Sequence, residues 1–306
     1  MELCMAGVRV RVPASTTNLG PGFDVLGMAL NLYNEFELSE SDRLNIEVHG
    51  EGNEDLARDD SNLVYRSAEA LYDYLGEKCP FLKIKITNNI PLARGLGSSG
   101  TAIIGGLIGA NALCGNPLSI QQIINIATKI DGHPDNVSSS ILGGVVVSSS
   151  TEENVVCMKV IPPKPLRVVA VVPDFHLMTN DARRILPKTL DLPTAVFNIG
   201  RSSLLVGALI SGNYELLRIA MEDKLHQPYR ATLIPGIHEV FSEAKSLDNE
   251  VAVAISGAGS TITAFCPNCN FAEVGERMKK AFKKHNINSQ VMILDIDTEG
   301  SIVTDE

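Results

Sequence analysis

Tryptophan is absent from the 306 residues, and aromatic side chains make up only 5% of the chain. Positive charge is also scarce: 26 Lys and Arg stand against 36 Asp and Glu, a formal net charge of −10. Nucleic acids are held by basic faces interleaved with aromatics, and neither is present, so nucleic acid is not an expected partner. No apolar run approaches the ~18–20 residues of a membrane helix; Ile103–Leu113 is short and glycine-laden. The opening MELCMAGVRVRVPAS has neither the apolar core of a signal peptide nor the Arg/Ser character of a transit peptide. A cytoplasmic protein without a membrane partner is expected. Repeats and low-complexity runs are lacking, and only Glu299–Glu306 reads as a frayed acidic end.

Of the six cysteines, Cys4, Cys79, Cys114 and Cys157 are scattered and read as reduced thiols. Cys266-Pro-Asn-Cys269 is a CxxC without a second CxxC or an HxxxH at zinc-like spacing, so no tetrahedral ligand set is evident. It reads as a loop between a strand and a helix.

What remains is a globular composition, 44% hydrophobic and 20% charged. The length exceeds the roughly 250–300 residues of a single core, so two domains are expected. The three prolines of Ile161-Pro-Pro-Lys-Pro165 break any element and mark the boundary, giving domains 1–163 and 164–306. Strand patterns at Val8–Val12, Leu82–Thr87, Val145–Ser148, Val168–Val172, Val251–Ile255, Thr261–Phe265 and Val291–Asp295 mix with helical ones. The helical runs are Ser61–Tyr74, Thr101–Cys114, Ile120–Lys129, Thr194–Leu209, Tyr214–Met221, Ile237–Leu247 and Ala272–His285. This mixed order predicts an α+β fold rather than a doubly wound parallel sheet.

The densest signal is Pro91-Leu92-Ala93-Arg94-Gly95-Leu96-Gly97-Ser98-Ser99-Gly100-Thr101, between a strand and a helix. Its glycines permit close backbone approach, its hydroxyls can bond an anion, and the helix it opens attracts negative charge. No Lys follows the last glycine, so this is not a Walker A loop. The string resembles the ATP-binding motif of the GHMP small-molecule kinases.

Five further segments extend that resemblance, four of them to the homoserine kinases within that superfamily. Val12-Pro-Ala-Ser-Thr-Thr-Asn-Leu-Gly-Pro-Gly-Phe-Asp-Val-Leu-Gly27 is a rigid turn exposing Asn18 and Asp24, a pair suited to a hydroxyl and an ammonium. Asp131-Gly-His-Pro-Asp-Asn-Val137 gathers Asp131, His133, Asp135 and Asn136, with Asp131 a hard oxygen ligand of the kind Mg²⁺ prefers. It is similar to the family's E-G-H-P-D-N-V, with Asp in place of Glu, one methylene shorter. Thr179-Asn-Asp-Ala-Arg183 and His226-Gln-Pro-Tyr-Arg230 resemble the patterns TxxAR and HQPYR. Planar guanidiniums bind carboxylates bidentately, and the resemblance implies that Arg183 and Arg230 hold the substrate, with Arg184 a bystander. Ser256-Gly-Ala-Gly-Ser-Thr261 resembles the superfamily's third, glycine-rich motif, which brings Gly257 and Gly259 toward the active site.

The resemblance implies transfer of the ATP γ-phosphoryl group to the side-chain hydroxyl of L-homoserine. It also implies a ribosomal-protein-like α+β N-terminal domain, a ferredoxin-like C-terminal domain, Asn62 beside the adenine, Mg²⁺ served by Asp131, and a homodimer; a phosphate-loop hydroxyl, Ser99 ahead of Ser98, is expected to share the ion. On the acceptor side two readings stand: positioning by Asn18, Asp24, His133 and Asn136, or proton removal by Asp135 or Asp24. The rival functions are a mevalonate- or sugar-type kinase of the same superfamily, or a nucleotide-binding sensor without catalysis.

Overall fold

The computed structural model describes residues 7–247 and 250–305, which leaves the Cys4 reading and Glu306 outside the described residues. The first half runs β1 (Val8–Thr17), β2 (Leu26–Glu40), β3 (Asn45–Gly50), α1 (Leu63–Leu75), β4 (Leu82–Asn88), α2 (Ser98–Leu113), α3 (Ile120–Asp131), α4 (Pro134–Leu142), β5 (Val145–Ser150) and β6 (Val155–Val160). The second runs β7 (Arg167–Pro173), α5 (Thr179–Arg184), α6 (Leu192–Ser211), α7 (Leu217–Ala220), α8 (Gln227–Arg230), α9 (Ile237–Leu247), β8 (Ala252–Ile255), β9 (Ile262–Cys266), α10 (Phe271–Lys284) and β10 (Ser289–Asp295). The chain then closes with β11 (Ile302–Asp305).

Two sheets organise these elements. The first is seven-stranded, ordered β11-β1-β2-β4-β3, with β5 and β6 extending from the other part of β2. All its pairings are antiparallel except β3 with β4. The second sheet is ordered β10-β7-β9-β8 and is antiparallel throughout. In chain order β7, a helical crossover, β8, β9, α10 and β10, laid out in space as β10-β7-β9-β8, form a ferredoxin-like unit.

The packing explains why the strands read as they do. On β7, Val168, Ala170 and Val172 face a core shared with β1, β2, α6 and α7, while Val169 and Val171 face a second core under α9 and α10. A sheet buried on both faces needs an unbroken β-branched run, which is what this strand has. The shared core also takes Leu19, Leu26, Met28 and Leu30 from the first half, so the two halves are joined by apolar packing. In the first half, α2 lies close to its neighbours because it is glycine-rich: a Cβ on Gly106 would collide with the Val64 carbonyl of α1.

Three expectations are corrected. The tail is not frayed: β11 pairs antiparallel with β1, from Val8 opposite Asp305 to Arg11 opposite Ile302. Before it, Asp297 anchors the turn, its carboxylate accepting from the N–H groups of Glu299 and Gly300 and from the Tyr33 hydroxyl, while its own backbone pairs with Ala29 and Gly144. Second, α6 is long and apolar enough to cross a membrane by length and composition, contrary to the reading that no run approaches that size. It carries Arg201 and buries Leu205, Ala208 and Leu209 in the shared core. Third, Tyr214–Met221 is a turn of 3₁₀-helix followed by the short α7, not one helix. The loop between β9 and α10 lies where the CxxC places it, and Cys266 and Cys269 are joined there as a disulfide.

Candidate active site

Each loop singled out in the sequence arrives at the same place by its own local logic. The segment 91–97 enters α2, whose first helical residue is Ser98, three positions earlier than the helical pattern begins. Gly97 caps it in the left-handed conformation without a side-chain hydrogen bond, and the first turn holds no acid. The positive end of α2 is therefore offset by neither a capping side chain nor an acid of its own first turn. Gly95, also left-handed, lies against the glycine-rich loop: a Cβ there would overlap the Ser256 carbonyl oxygen. Ser256 Oγ donates to the Gly95 carbonyl at 2.6 Å, and Thr261 N–H to that of Arg94 at 3.1 Å, stitching the two loops together.

Between these loops lies a cavity of about 530 Å³. Pro91, Ala93, Arg94, Gly95, Leu96, Gly97, Ser98, Ser99 and Gly100 line one side, and Gly257 and Gly259 another. Asn18, Asp24, Asp131, His133, Asp135, Asn136, Arg183 and Arg230 complete it. A second cavity of about 490 Å³ adjoins it through Ser98, Ser99 and Thr179, and is lined by apolar groups together with Asn62 and Leu92. Thr101 lines neither: its buried hydroxyl donates to the Ser98 carbonyl and accepts from Asn34 Nδ2, both at 2.8 Å. Asn62 has a scaffold role, since its side chain caps α1 through Val64 N–H at 2.9 Å and also donates to the Ala57 carbonyl.

The acceptor side is a web of charges. Asp24 receives a bidentate ion pair from Arg183, at 2.8 and 3.0 Å, linking residues from opposite halves of the chain. The Asn18 amide bridges inward, donating to the Gly257 carbonyl at 2.9 Å and accepting from Asp24 N–H at 3.0 Å. Asp131 is the last residue of α3, and Pro134 and Asp135 open α4 two residues after the turn at Gly132. His133 Nδ1 sits 2.9 Å from Asp135 and 3.2 Å from Asp131. Burial pulls the His133 pKa down, but the hydrogen bond to Asp135 and the two carboxylate charges outweigh it, and the net direction is upward. Asn136 accepts from Ser15 Oγ at 2.9 Å.

Asp131 is the least satisfied of these groups. Burial pushes its pKa up to about 6, and Oδ2 is buried without a hydrogen-bond partner, although His133 Nδ1, directed at Asp135, is nearby. A buried, orphaned carboxylate oxygen facing a cavity with serine hydroxyls suits a hard cation such as Mg²⁺. Ser99, at the boundary of both cavities, is exposed, whereas Ser98 is buried near Asn88.

Arg230 is only 2% exposed. It donates to neutral acceptors alone among its described hydrogen bonds: the Gly257 carbonyl at 2.7 Å, His226 Nδ1 at 3.3 Å and the Ala182 carbonyl at 3.4 Å. Burial, and then the charge of Arg183, lower its pKa to about 10. Arg184 points away and pairs with Asp181 on the surface.

Two participants escaped the sequence reading. Phe23 presents its ring to both guanidiniums, 5.4 Å from Arg183 and 5.1 Å from Arg230. His226 lies behind Arg230, fully buried. Both sit inside motifs already quoted, one position before Asp24 and four before Arg230, so adjacency was the available signal.

Comparison with known proteins identifies the family. Residues 62–144 match the GHMP kinase N-terminal domain and residues 205–284 the GHMP kinase C-terminal domain. A homoserine kinase of Moorella thermoacetica is 44% identical over 294 residues, covering 96% of this chain and 99% of that protein. One from Desulfitobacterium hafniense is 42% identical, covering 97% and 99%. The crystal structure of homoserine kinase from Cytophaga hutchinsonii superposes with a TM-score of 0.89 at 30% identity, covering 99% of both chains. With two family domains in order and near-complete coverage at these identities, the chain belongs to the homoserine kinase family of the GHMP kinases.

Proposed function

We propose that the chain transfers the γ-phosphoryl group of ATP to the side-chain hydroxyl of L-homoserine, giving O-phospho-L-homoserine for threonine biosynthesis. The observation that carries the substrate is the charge pattern at the acceptor end. Arg183 is paired with Asp24, whereas the buried Arg230 has only neutral hydrogen-bond partners. A buried cation calls for an anion. An amino-acid zwitterion answers both sites: its carboxylate reaches Arg230 and Arg183, and its ammonium takes over Asp24 as Arg183 turns to the carboxylate. A mevalonate- or sugar-type substrate has no ammonium to replace Arg183 on Asp24.

On the donor side, segment 91–100 and the α2 N-terminus take the phosphates, and the apolar cavity beside Asn62 takes the adenine. Asp131 and Ser99 hold Mg²⁺ in this reading. When bound, the ion neutralises charge on the phosphates. The chain's own groups orient the acceptor: Asn18 sets Asp24, Asp135 sets His133, and Ser15 sets Asn136. Phosphoryl transfer depends mainly on alignment and charge stabilisation, which these contacts supply without a strong general base.

The units 1–163 and 164–306, a homodimer, a cytoplasmic location, and the lack of a nucleic-acid or membrane partner belong to the same proposal. A panel of homoserine, serine, threonine, mevalonate, galactose and shikimate with ATP and Mg²⁺ tests it. Homoserine is expected to turn over best, because the shorter arm of serine leaves its hydroxyl short of the phosphate once its carboxylate is clamped. Equal turnover of mevalonate or galactose refutes the assignment.

A further inference from the structure

We infer that His226, as the neutral imidazole carrying its proton on Nε2, is the positioning residue that fixes the Arg230 guanidinium for the substrate carboxylate. The inference rests on the reading of Arg230 given under Proposed function. Its basis is a relay of three contacts with a defined polarity. His226 Nε2 lies 2.7 Å from the Gly20 carbonyl oxygen, which only accepts, so Nε2 bears the proton. Nδ1 is then a lone pair, and it receives Arg230 Nη1 at 3.3 Å. The third contact is Phe23, whose ring lies 5.3 Å from the imidazole and is shared with Arg230.

The surroundings keep the imidazole in that state. It is fully buried beside a guanidinium, where a second positive charge is opposed both by desolvation and by repulsion. The carboxylate nearest to it, Asp223, is 3.6 Å from Nε2 but is occupied by the backbone N–H groups of Leu225, His226 and Gln227 and by Asn198 Nδ2. Among the described residues, the other hydrogen-bond partners of Arg230 are two backbone carbonyls, and beside them it has only the face of the Phe23 ring. The Gly20 carbonyl belongs to the same turn as Asn18 and Asp24, so the relay ties the carboxylate end of the site to its ammonium end. A planar fork binds a carboxylate well only when its plane is set in advance.

Steady-state kinetics of the full chain with His226→Gln and His226→Asn test this. The Gln amide reaches the Nε2 position and keeps the bond to Gly20, while the Asn carbonyl sits at the Nδ1 position and keeps the acceptor for Arg230. His226→Gln is expected to raise KM for homoserine roughly ten- to a hundredfold, the loss of a hydrogen bond to a charged group, with KM for ATP unchanged. His226→Asn stays within a few-fold of wild type. Turnover of aminopropanol, which is homoserine without its carboxylate, is the same in all three. A homoserine KM within a few-fold of wild type in His226→Gln overturns the proposal, as does a parallel rise for ATP, or equal damage in the two variants. Arg230→Ala separates the layers: if it leaves homoserine KM unchanged, the carboxylate reading itself fails; if it raises KM while His226→Gln does not, only the positioning role fails. Nitrogen NMR of the wild type at neutral pH needs no variant to fold, and an Nδ1–H tautomer or an imidazolium there also overturns the proposal.

Discussion

Replacing Asp131 by asparagine separates two roles that the same carboxylate has in this structure. In the metal-free protein the group destabilises the fold: burial raises its pKa from 3.8 to about 6, and Oδ2 has no hydrogen-bond partner. A folded-state pKa above the unfolded value means that the folded state holds the proton more tightly. Stability is thus lost as pH rises from 3.8 toward 6, and the full cost is present above that range. At 1.36 kcal/mol per pKa unit, the cost at neutral pH is about 3 kcal/mol at most. Asp131→Asn removes the charge and keeps the shape, so in EDTA at neutral pH the variant should melt a few degrees higher than wild type. In activity the direction reverses. With its proposed contribution to the Mg²⁺ site gone, kcat should fall by orders of magnitude and respond weakly to a Mg²⁺ titration. Asp131→Glu, which restores the residue of the motif it resembles, should retain activity. Thermal unfolding in EDTA and kinetics over a Mg²⁺ series read the two effects separately. Near wild-type turnover and metal response would leave Asp131 as merely the last residue of α3, and a less stable Asn variant in EDTA would refute the cost assigned to the buried oxygen.

Gly95→Ala should raise KM for ATP and lower kcat, because φ +78° in a non-glycine residue costs about 1–2 kcal/mol and the Cβ pushes the loop off Ser256; an unchanged ATP KM would show that the two loops need not touch. Arg183→Ala should raise homoserine KM and leave ATP KM nearly intact, with Arg184→Ala as the mild control, since its side chain is 78% exposed; equal effects of the two would remove Arg183 from the site. His226 gives the opposite pH sign to Asp131. Burial lowers its pKa from 6.5 to about 4, so its contribution is present above pH 6.5 and lost as pH falls toward 4, about 3 kcal/mol in all. Urea unfolding across that window should show a steeper acid loss in wild type than in His226→Gln, and equal slopes would count against a buried neutral imidazole.

The glycine-rich and charged loops were legible because their chemistry is written in consecutive residues. What joins them was not. Asp24 and Arg183 stand 159 positions apart, and nothing in either motif says that each is the other's partner before substrate arrives. The strand β2 shows alternation in Leu30, Leu32, Asn34, Phe36 and Leu38, but its first five residues are buried on both faces and directly follow the Asn18–Asp24 turn, so the period is absent where the strand begins. Helix α4 contains Ser138-Ser-Ser140, a poor helix-forming run, and is set by Pro134 in its first turn and by burial of Val137 and Ile141. The acidic tail looked solvated because its partner, β1, lies at the other end of the sequence. Thr101 and Asn62 carry a second role that the motif does not announce: their side chains hold the scaffold through the Ser98 carbonyl and Asn34 and through Val64 N–H.

The return of the chain to β1 changes what the second half can do mechanically. Two covalent crossings, one from β6 to β7 and one from β10 to β11, connect the halves. The second is pinned at Asp297 to both Ala29 and Gly144. A unit held by one linker can swing open like a door, whereas one held by two linkers astride a shared apolar core is limited to rocking about the line between them. The Asp24–Arg183 contact bridges the same two halves beside these crossings, so it adds a third tie between them. The same arrangement makes the last strand part of the connection between the halves, and a tag or truncation at the C-terminal end acts on that connection as well as on the edge of the first sheet.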